Sequence, residues 1–167
     1  MRRADEELYR EFVTSRLEPL RRTAYLLCRD MYLADDLVSI TFTKLYRYWR
    51  RAREADNLDA YVRGMLTNTW LTERRRPWHR ESSVEELPEL SVADAPPADR
   101  AELLRLLQAL PARQRAVVVL RFYCDLSVAQ TAETLRITEG AVKSQSARGL
   151  AALRVAASEF PVRQETP

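Results

Sequence analysis

The stretch "DLSVAQTAETLRITEGAVKSQSARGLAALR", residues 125–154, decides how the chain folds. It holds two short helical patterns separated by three or four residues. Ala132 is a small residue in mid-pattern, where two helices can approach closely. Leu135, Ile137 and Val142 supply apolar contacts that would lock a second helix across the first. Thr138 is placed to cap that second helix, because its hydroxyl can accept an orphan backbone N–H of the first turn. Arg136 stands where such turns usually carry glycine, so it must either adopt a left-handed conformation at some cost or rearrange the turn. Behind the cap come Lys143, Ser144, Gln145 and Arg148, all able to contact phosphate or base edges. This is a helix-turn-helix pattern, whose second helix, here about Glu139 to Arg154, enters a major groove. An ordinary helical hairpin, with those four side chains on a solvated face, is the alternative.

The rest of the chain is consistent with helices throughout. Its 167 residues suffice for one medium domain or two small ones. With 46% hydrophobic residues, 31% charged and only 3 Gly, the composition is that of a soluble helical protein. The net charge of +3 conceals an uneven distribution. Residues 1–80 carry 17 basic and 12 acidic side chains, or +5; residues 81–99 carry 6 acids and no Lys or Arg, or −6. Residues 100–167 carry 10 basic and 6 acidic side chains, or +4. Two basic blocks thus flank an acidic strap, and a polyanion suits the blocks but not the strap. Cys28, Cys124 and the single His79 cannot complete a four-ligand zinc site, so two buried, reduced thiols are expected and no metal. No secretory apolar segment opens the chain and no run approaches membrane-spanning length. A cytoplasmic protein without membrane insertion is the expectation.

Along the first block, Leu8, Phe12, Leu20, Ala24 and Leu27 recur at helical spacing, with a break expected at Pro19. Ala34, Leu37, Val38, Thr41, Phe42, Leu45 and Trp49 then form one broad stripe, leaving Asp36, Ile40, Thr43 and Arg47 on the opposite face. An outward Ile40 is either a lone exposed apolar residue of no consequence or part of a partner surface. The basic loop "RRAREADN" (50–57) ends in Asp56 or Asn57 as a helix cap. The following helix buries Leu58, Tyr61, Val62, Met65 and Leu66, then runs into "NTWLTERRRPWHR", where Pro77 stops it. Arg74, Arg75, Arg76 and Arg80, with Trp70 and Trp78 among them, are either a solvated helix end or a surface on which unstacked bases can lie. Residues 81–98, acidic and with three prolines, read as an extended linker. A second helical block begins near Asp99, with Leu110-Pro111 separating its first two helices, and frays after Phe160-Pro161.

Taken in order, "ADDLVSITFTKLYRYW", "LDAYVRGMLTNTWLTERRR" and the block from Leu110 to Arg154 resemble the extracytoplasmic-function sigma factors of bacterial RNA polymerase, especially the compact actinobacterial kind. The resemblance extends from about residue 8 to 156. It implies an all-α chain of two small helical domains, region 2-like over 5–80 and region 4-like over 99–160, joined by the acidic linker 81–98. It also implies core RNA polymerase (clamp and flap) and promoter DNA as partners, an anti-sigma factor as a regulator in many relatives, and no cofactor. The residues implied to meet polymerase are Asp36, Leu37, Ile40, Phe42 and Thr43; here "DLVSITF" stands where relatives typically read D-L-V-Q-E-T-F. The loop 50–57 would capture a flipped base of the −10 element at a cost of a few kcal/mol of unstacking. The −10 contacts implied are Arg50, Arg51, Arg53, Asn57, Asn68, Trp70, Arg74, Arg75 and Arg76, with Thr67 where relatives often carry Arg. Arg113, Thr138, Lys143, Ser144, Gln145 and Arg148 would read the −35 element, and the strap would thread the polymerase channel.

Two other functions compete. A free-standing helix-turn-helix regulator would use the first block for sensing or dimerisation. An enzyme acting on nucleic acid would need a catalytic constellation, yet adjacent Asp35 and Asp36 point about 100° apart on a helix, and no nucleophile–base pair or phosphate-cradling glycine loop is present. Promoter specificity without catalysis is the reading that the whole chain favours.

Overall fold

The structure is a computed structural model that describes residues 1–75 and 97–159. Arg76, Pro77, Trp78, His79 and Arg80, most of the acidic strap, and the tail from Phe160 lie outside the described residues. Among the described residues the regular elements are all helical.

The first block is built from α1 (Arg3–Cys28), α2 (Met31–Arg47), the short α3 (Trp49–Arg53) and α4 (Leu58–Glu73). Contrary to the expected break, α1 runs unbroken through Pro19. The proline forfeits one backbone bond, to the Ser15 carbonyl. Burial of Leu20, Ala24, Leu26 and Leu27 in the following turns offsets that loss, and Thr23 Oγ1 donates to the Pro19 carbonyl at 3.0 Å. Asp30 starts α2 by accepting the N–H groups of Tyr32 and Leu33 at 2.9 and 3.1 Å. The α2 stripe is buried as its spacing predicts, with Ala34, Leu37 and Leu45 fully inaccessible. Of the two candidate caps for α4, Asn57 does the work: its Oδ1 accepts the Ala60 N–H at 3.0 Å. The 50–57 segment is therefore part helix, since α3 occupies its first half.

The second block comprises α5 (Pro97–Gln108), α6 (Ala112–Val118), a π-helical turn over Val119–Tyr123, α7 (Val128–Leu135) and α8 (Glu139–Glu159). Ser127 and Gln130 form a reciprocal capping box on α7, with both bonds near 3 Å. Arg136 takes the left-handed conformation, φ 55° and ψ 46°. That conformation costs a non-glycine residue roughly 1–2 kcal/mol. In return the Ile137 N–H reaches the Ala132 carbonyl at 3.0 Å and closes the helix end. Thr138 caps α8 as expected, its Oγ1 accepting the Ala141 N–H at 3.0 Å. Ala132, Val117 and Val142 form the buried centre of the helix-turn-helix, with Val128, Leu135 and Ile137 packed around them. At Gly149 a Cβ would lie 2.6 Å from Val118 Cγ2, so the glycine is what lets α8 lie close on α6.

The two blocks do not stand apart. Leu27, Leu45 and Trp70 of the first share one apolar core with Leu107, Leu110, Ala116 and Val118 of the second. Helix α4 also packs directly on α7, and α1 on α5 and α6. Nothing in the sequence periodicity announces this joint core.

Candidate functional site

Three surfaces carry the residues singled out by the sequence. On α2, Asp36 and Thr43 are exposed and Ile40 is half-buried rather than free. Thr43 Oγ1 donates to the Ser39 carbonyl at 2.9 Å. Leu37 and Phe42 correct the expectation of a polymerase contact: at 0% and 8% exposure they are core side chains and offer no surface. The reason is the period itself, since both lie on the stripe that packs against α1 and α4. Tyr32, 73% exposed and one turn before Asp36, extends the outward face and was not singled out from sequence.

Around the α3–α4 corner, Arg50 and Arg51 are exposed, whereas Arg53 is held in an ion pair with Asp5. Asn57 is committed to its cap. Asn68 is half-buried, and its Nδ2 donates to the Thr134 carbonyl at 2.9 Å. Trp70 corrects the expected stacking role: only 3% exposed, it is part of the core, and no base can reach its faces. Arg74 and Arg115 lie over its ring, their guanidinium carbons 5.6 and 5.3 Å from the centroid. Arg74 and Arg75 are themselves exposed at the end of α4. Arg76 lies outside the described residues. A cleft of about 690 Å³ opens beside this corner, lined by Lys44, Tyr61, Asn68 and Thr72 from the first block and Gln130 and Glu133 from α7.

On the helix-turn-helix, Lys143, Ser144 and Arg148 are exposed along α8, and Arg113 is exposed on α6. Gln145, expected among the side chains that read the −35 element, is half-buried at the edge of a second cleft, of about 530 Å³, between α4 and the helix-turn-helix. Asn68 and Arg75 line that cleft from one side, Arg113, Arg136 and Gln145 from the other, and no carboxylate is among its lining residues. The structure thus brings candidate contacts for two different DNA elements to one place.

Several working residues escaped the sequence reading. Arg115, 9% exposed, donates to the carbonyls of Leu27, Gln108 and Leu110 at 2.6, 3.3 and 3.0 Å, and burial pulls its guanidinium down to about 10. Arg63 Nη1 donates to Thr23 Oγ1 at 2.9 Å and to Cys124 Sγ at 3.1 Å, tying α1, α4 and the π-turn together. Gly64 had a usable signal, being one of 3 glycines and lying inside a helical pattern. A Cβ there would sit 1.8 Å from Thr134 Cγ2.

A helical bundle offering arginines beside a polar cleft, joined to a capped helix-turn-helix, defines a class of DNA-directed transcription proteins. The comparisons agree. The sequence matches the sigma-70 region 2 family over residues 12–80 and the sigma-70 region 4 family over residues 100–153. It is 35% identical over 153 residues to the RNA polymerase sigma-E factor of Streptomyces coelicolor, covering 87% of this chain and 84% of that one. The ECF RNA polymerase sigma factor SigD of Mycobacterium tuberculosis is 32% identical over 139 residues, 77% of this chain and 64% of that one. Among solved structures, the sigma factor RpoE of Bartonella quintana, in complex with the anti-sigma factor NepR, has the same fold at a TM-score of 0.76 and 21% identity, over 92% of this chain and 98% of that one. CnrH, in complex with the cytosolic domain of CnrY, aligns at a TM-score of 0.68 and 18% identity, over 93% and 91%. The chain belongs to the extracytoplasmic-function sigma factors of the sigma-70 family. It acts in transcription initiation with core RNA polymerase and promoter DNA as partners, and the free-standing regulator is not favoured.

Proposed function

We propose that the work is divided among three faces. The outward face of α2, with Asp36, Ile40 and Thr43, docks on the polymerase clamp. Arg50, Arg51, Asn68, Arg74 and Arg75, with Arg76, engage and help open the −10 element. Arg113, Lys143, Ser144, Gln145 and Arg148 read the −35 element, with Thr138 setting the start of the reading helix. Residues 5–80 and 99–160 are the corresponding domains, and the acidic strap 81–98 spans the polymerase channel between clamp and flap. The protein performs no chemistry of its own and works in the cytoplasm, at the nucleoid. An anti-sigma factor is a further partner on this reading, as it is for the Bartonella quintana protein.

The observation that carries the proposal is the exposed row Lys143, Ser144 and Arg148 on a helix whose start is fixed by Thr138. Side chains near the start of such a helix are those that reach base edges and phosphates in the major groove. On the other face, asparagine can pair with an unstacked base, and the neighbouring arginines track the backbone. The test is promoter opening. Arg50→Ala, Arg51→Ala and Asn68→Ala combined should reduce permanganate reactivity of −10 thymines in complexes with core polymerase. A pre-melted −10 bubble should restore transcription. Failure of the bubble to rescue would assign this corner another role.

A further inference from the structure

The cleft of about 530 Å³ between α4 and the helix-turn-helix gathers positive charge from three elements. Arg75 stands just past the end of α4, Arg113 on α6, and Arg136 in the turn between α7 and α8. Among the described residues none of these three arginines is in an ion pair, and no carboxylate lines the cleft. Cations collected in a concave, low-dielectric wall repel one another and raise the local concentration of anions. The first turn of α8 adds to this, since Ala141 lines the cleft and a helix start carries about half a positive charge. Glu139, the acid of that turn, is not among the lining residues.

Arg136 is the residue that turns a basic cleft into a site. It is exposed and left-handed, at φ 55° and ψ 46°. Glycine would take that conformation without steric cost. The bond that closes α7, from the Ile137 N–H to the Ala132 carbonyl, is a backbone bond and needs no side chain. What the arginine adds is a guanidinium on the cleft wall, and strained non-glycine residues of this kind concentrate at ligand sites. We propose that the cleft binds a small polyphosphate anion, a nucleoside polyphosphate or inorganic polyphosphate, gripped by Arg75, Arg113 and Arg136. Each guanidinium fork can meet two phosphate oxygens, and three forks on separate elements suit a chain of phosphates better than one. The volume lies within the range of small-molecule sites, about 300–1,000 Å³. A nucleoside has room in the adjoining cleft of about 690 Å³, which shares Asn68, Thr72 and Arg136 and is lined beyond them by Tyr61 and Met65. A bound anion occupies Arg75 and Arg113, so it would compete with promoter DNA; that consequence alone rests on the division of labour proposed above.

The full chain is tested by calorimetric titration with sodium tripolyphosphate, ATP and GTP, without DNA or polymerase, so the result does not depend on the sigma-factor reading. Physiological salt is used, where a Debye length of about 8 Å screens diffuse attraction to a basic protein. Tripolyphosphate should bind at one equivalent per chain, and an equal concentration of sulfate should not displace it. Tighter binding of the nucleotides would identify a nucleoside polyphosphate as the ligand, and tighter binding of tripolyphosphate the inorganic chain. Arg136→Gly should weaken binding by about tenfold or more, the loss of one hydrogen-bonded charge. Its thermal unfolding should stay close to wild type, because glycine suits the turn. Arg113→Gln, on the exposed side of α6, should weaken binding to a similar degree and serves if the turn variant unfolds. Arg10→Ala removes the same charge from an exposed position of α1 outside the cleft and should change affinity less than twofold. Wild-type affinity in both cleft variants would overturn the proposal. So would losses no larger than that of Arg10→Ala, several equivalents bound per chain, or displacement by sulfate.

Discussion

Arg115 Nη1 donates to the Leu27 carbonyl at 2.6 Å, joining the second helical block to the end of α1. The last carbonyls of a helix have no donor within it. Leu27 lies in the final turn of α1, and Gln108 and Leu110, the other acceptors, stand at and just beyond the end of α5. One buried guanidinium therefore caps two helix ends at once and shelters under Trp70. Arg115→Met keeps most of the apolar stem but leaves those carbonyls unmet in a dry site. The expected loss is about 3 kcal/mol, with a Tm fall of about 10 °C. Thermal unfolding followed by circular dichroism checks it, and a change under 2 °C would show that water replaces the guanidinium at no cost.

Alkaline stability should depend on Cys28. Burial pushes its thiol from an ordinary value of 9.0 up to about 12, with the coulombic influence of Asp30 adding to the shift. A group raised in the folded state contributes full stability below its unfolded value and loses it as pH climbs through the folded value. Between pH 9 and 12 the unfolded chain releases this proton first, so stability falls by up to about 1.4 kcal/mol per pH unit from this group. Burial raises Tyr25 and Cys124 in the same direction. Cys28→Ala should therefore flatten, without abolishing, the alkaline decline in urea midpoints. An unchanged slope would mean that Cys28 is solvated.

The α2 face makes a separate prediction. Asp36 is exposed, so Asp36→Arg should change stability by no more than about 0.5 kcal/mol. It should nonetheless weaken binding to core polymerase, measured by competition against the unmodified protein. Unaltered core affinity would remove this face from the interface.

On the proposed division of labour Gln145 makes the sequence choice at −35, since glutamine can form a bidentate pair with adenine. Gln145→Ala should relax one position of a −35 library by about 1–3 kcal/mol. Lys143→Ala should weaken all templates alike and reduce the salt dependence, as a phosphate contact does. Equal loss on every template for Gln145→Ala would show that the register of α8 in the groove is different.

Much of the fold is legible in the residues. The α2 stripe and the Ala132–Val142 contact were readable because burial there follows helical period within one or two elements. Arg136 was readable because an L-residue at a glycine position of a tight turn has few choices, and it takes the left-handed one. Trp70 was misread because aromatic residues interleaved with arginines look alike whether the ring is free or capped. Its burial depends on Arg115 and the second block, which local spacing does not reveal. Leu37 and Phe42 carry a family motif and a core stripe together, and only packing separates those roles. The Gly64–Thr134 seat joins two elements on opposite sides of the strap, so no periodicity points to it.

Transcription in vitro with purified core polymerase lacking any other sigma factor is the decisive measurement. Genomic DNA fragments serve as templates, and transcript 5′ ends are sequenced. Starts should fall at a small set of sites that share one −35 and one −10 element, and should be lost when either element is scrambled. Starts indistinguishable from those of core polymerase alone would contradict promoter selection by this chain.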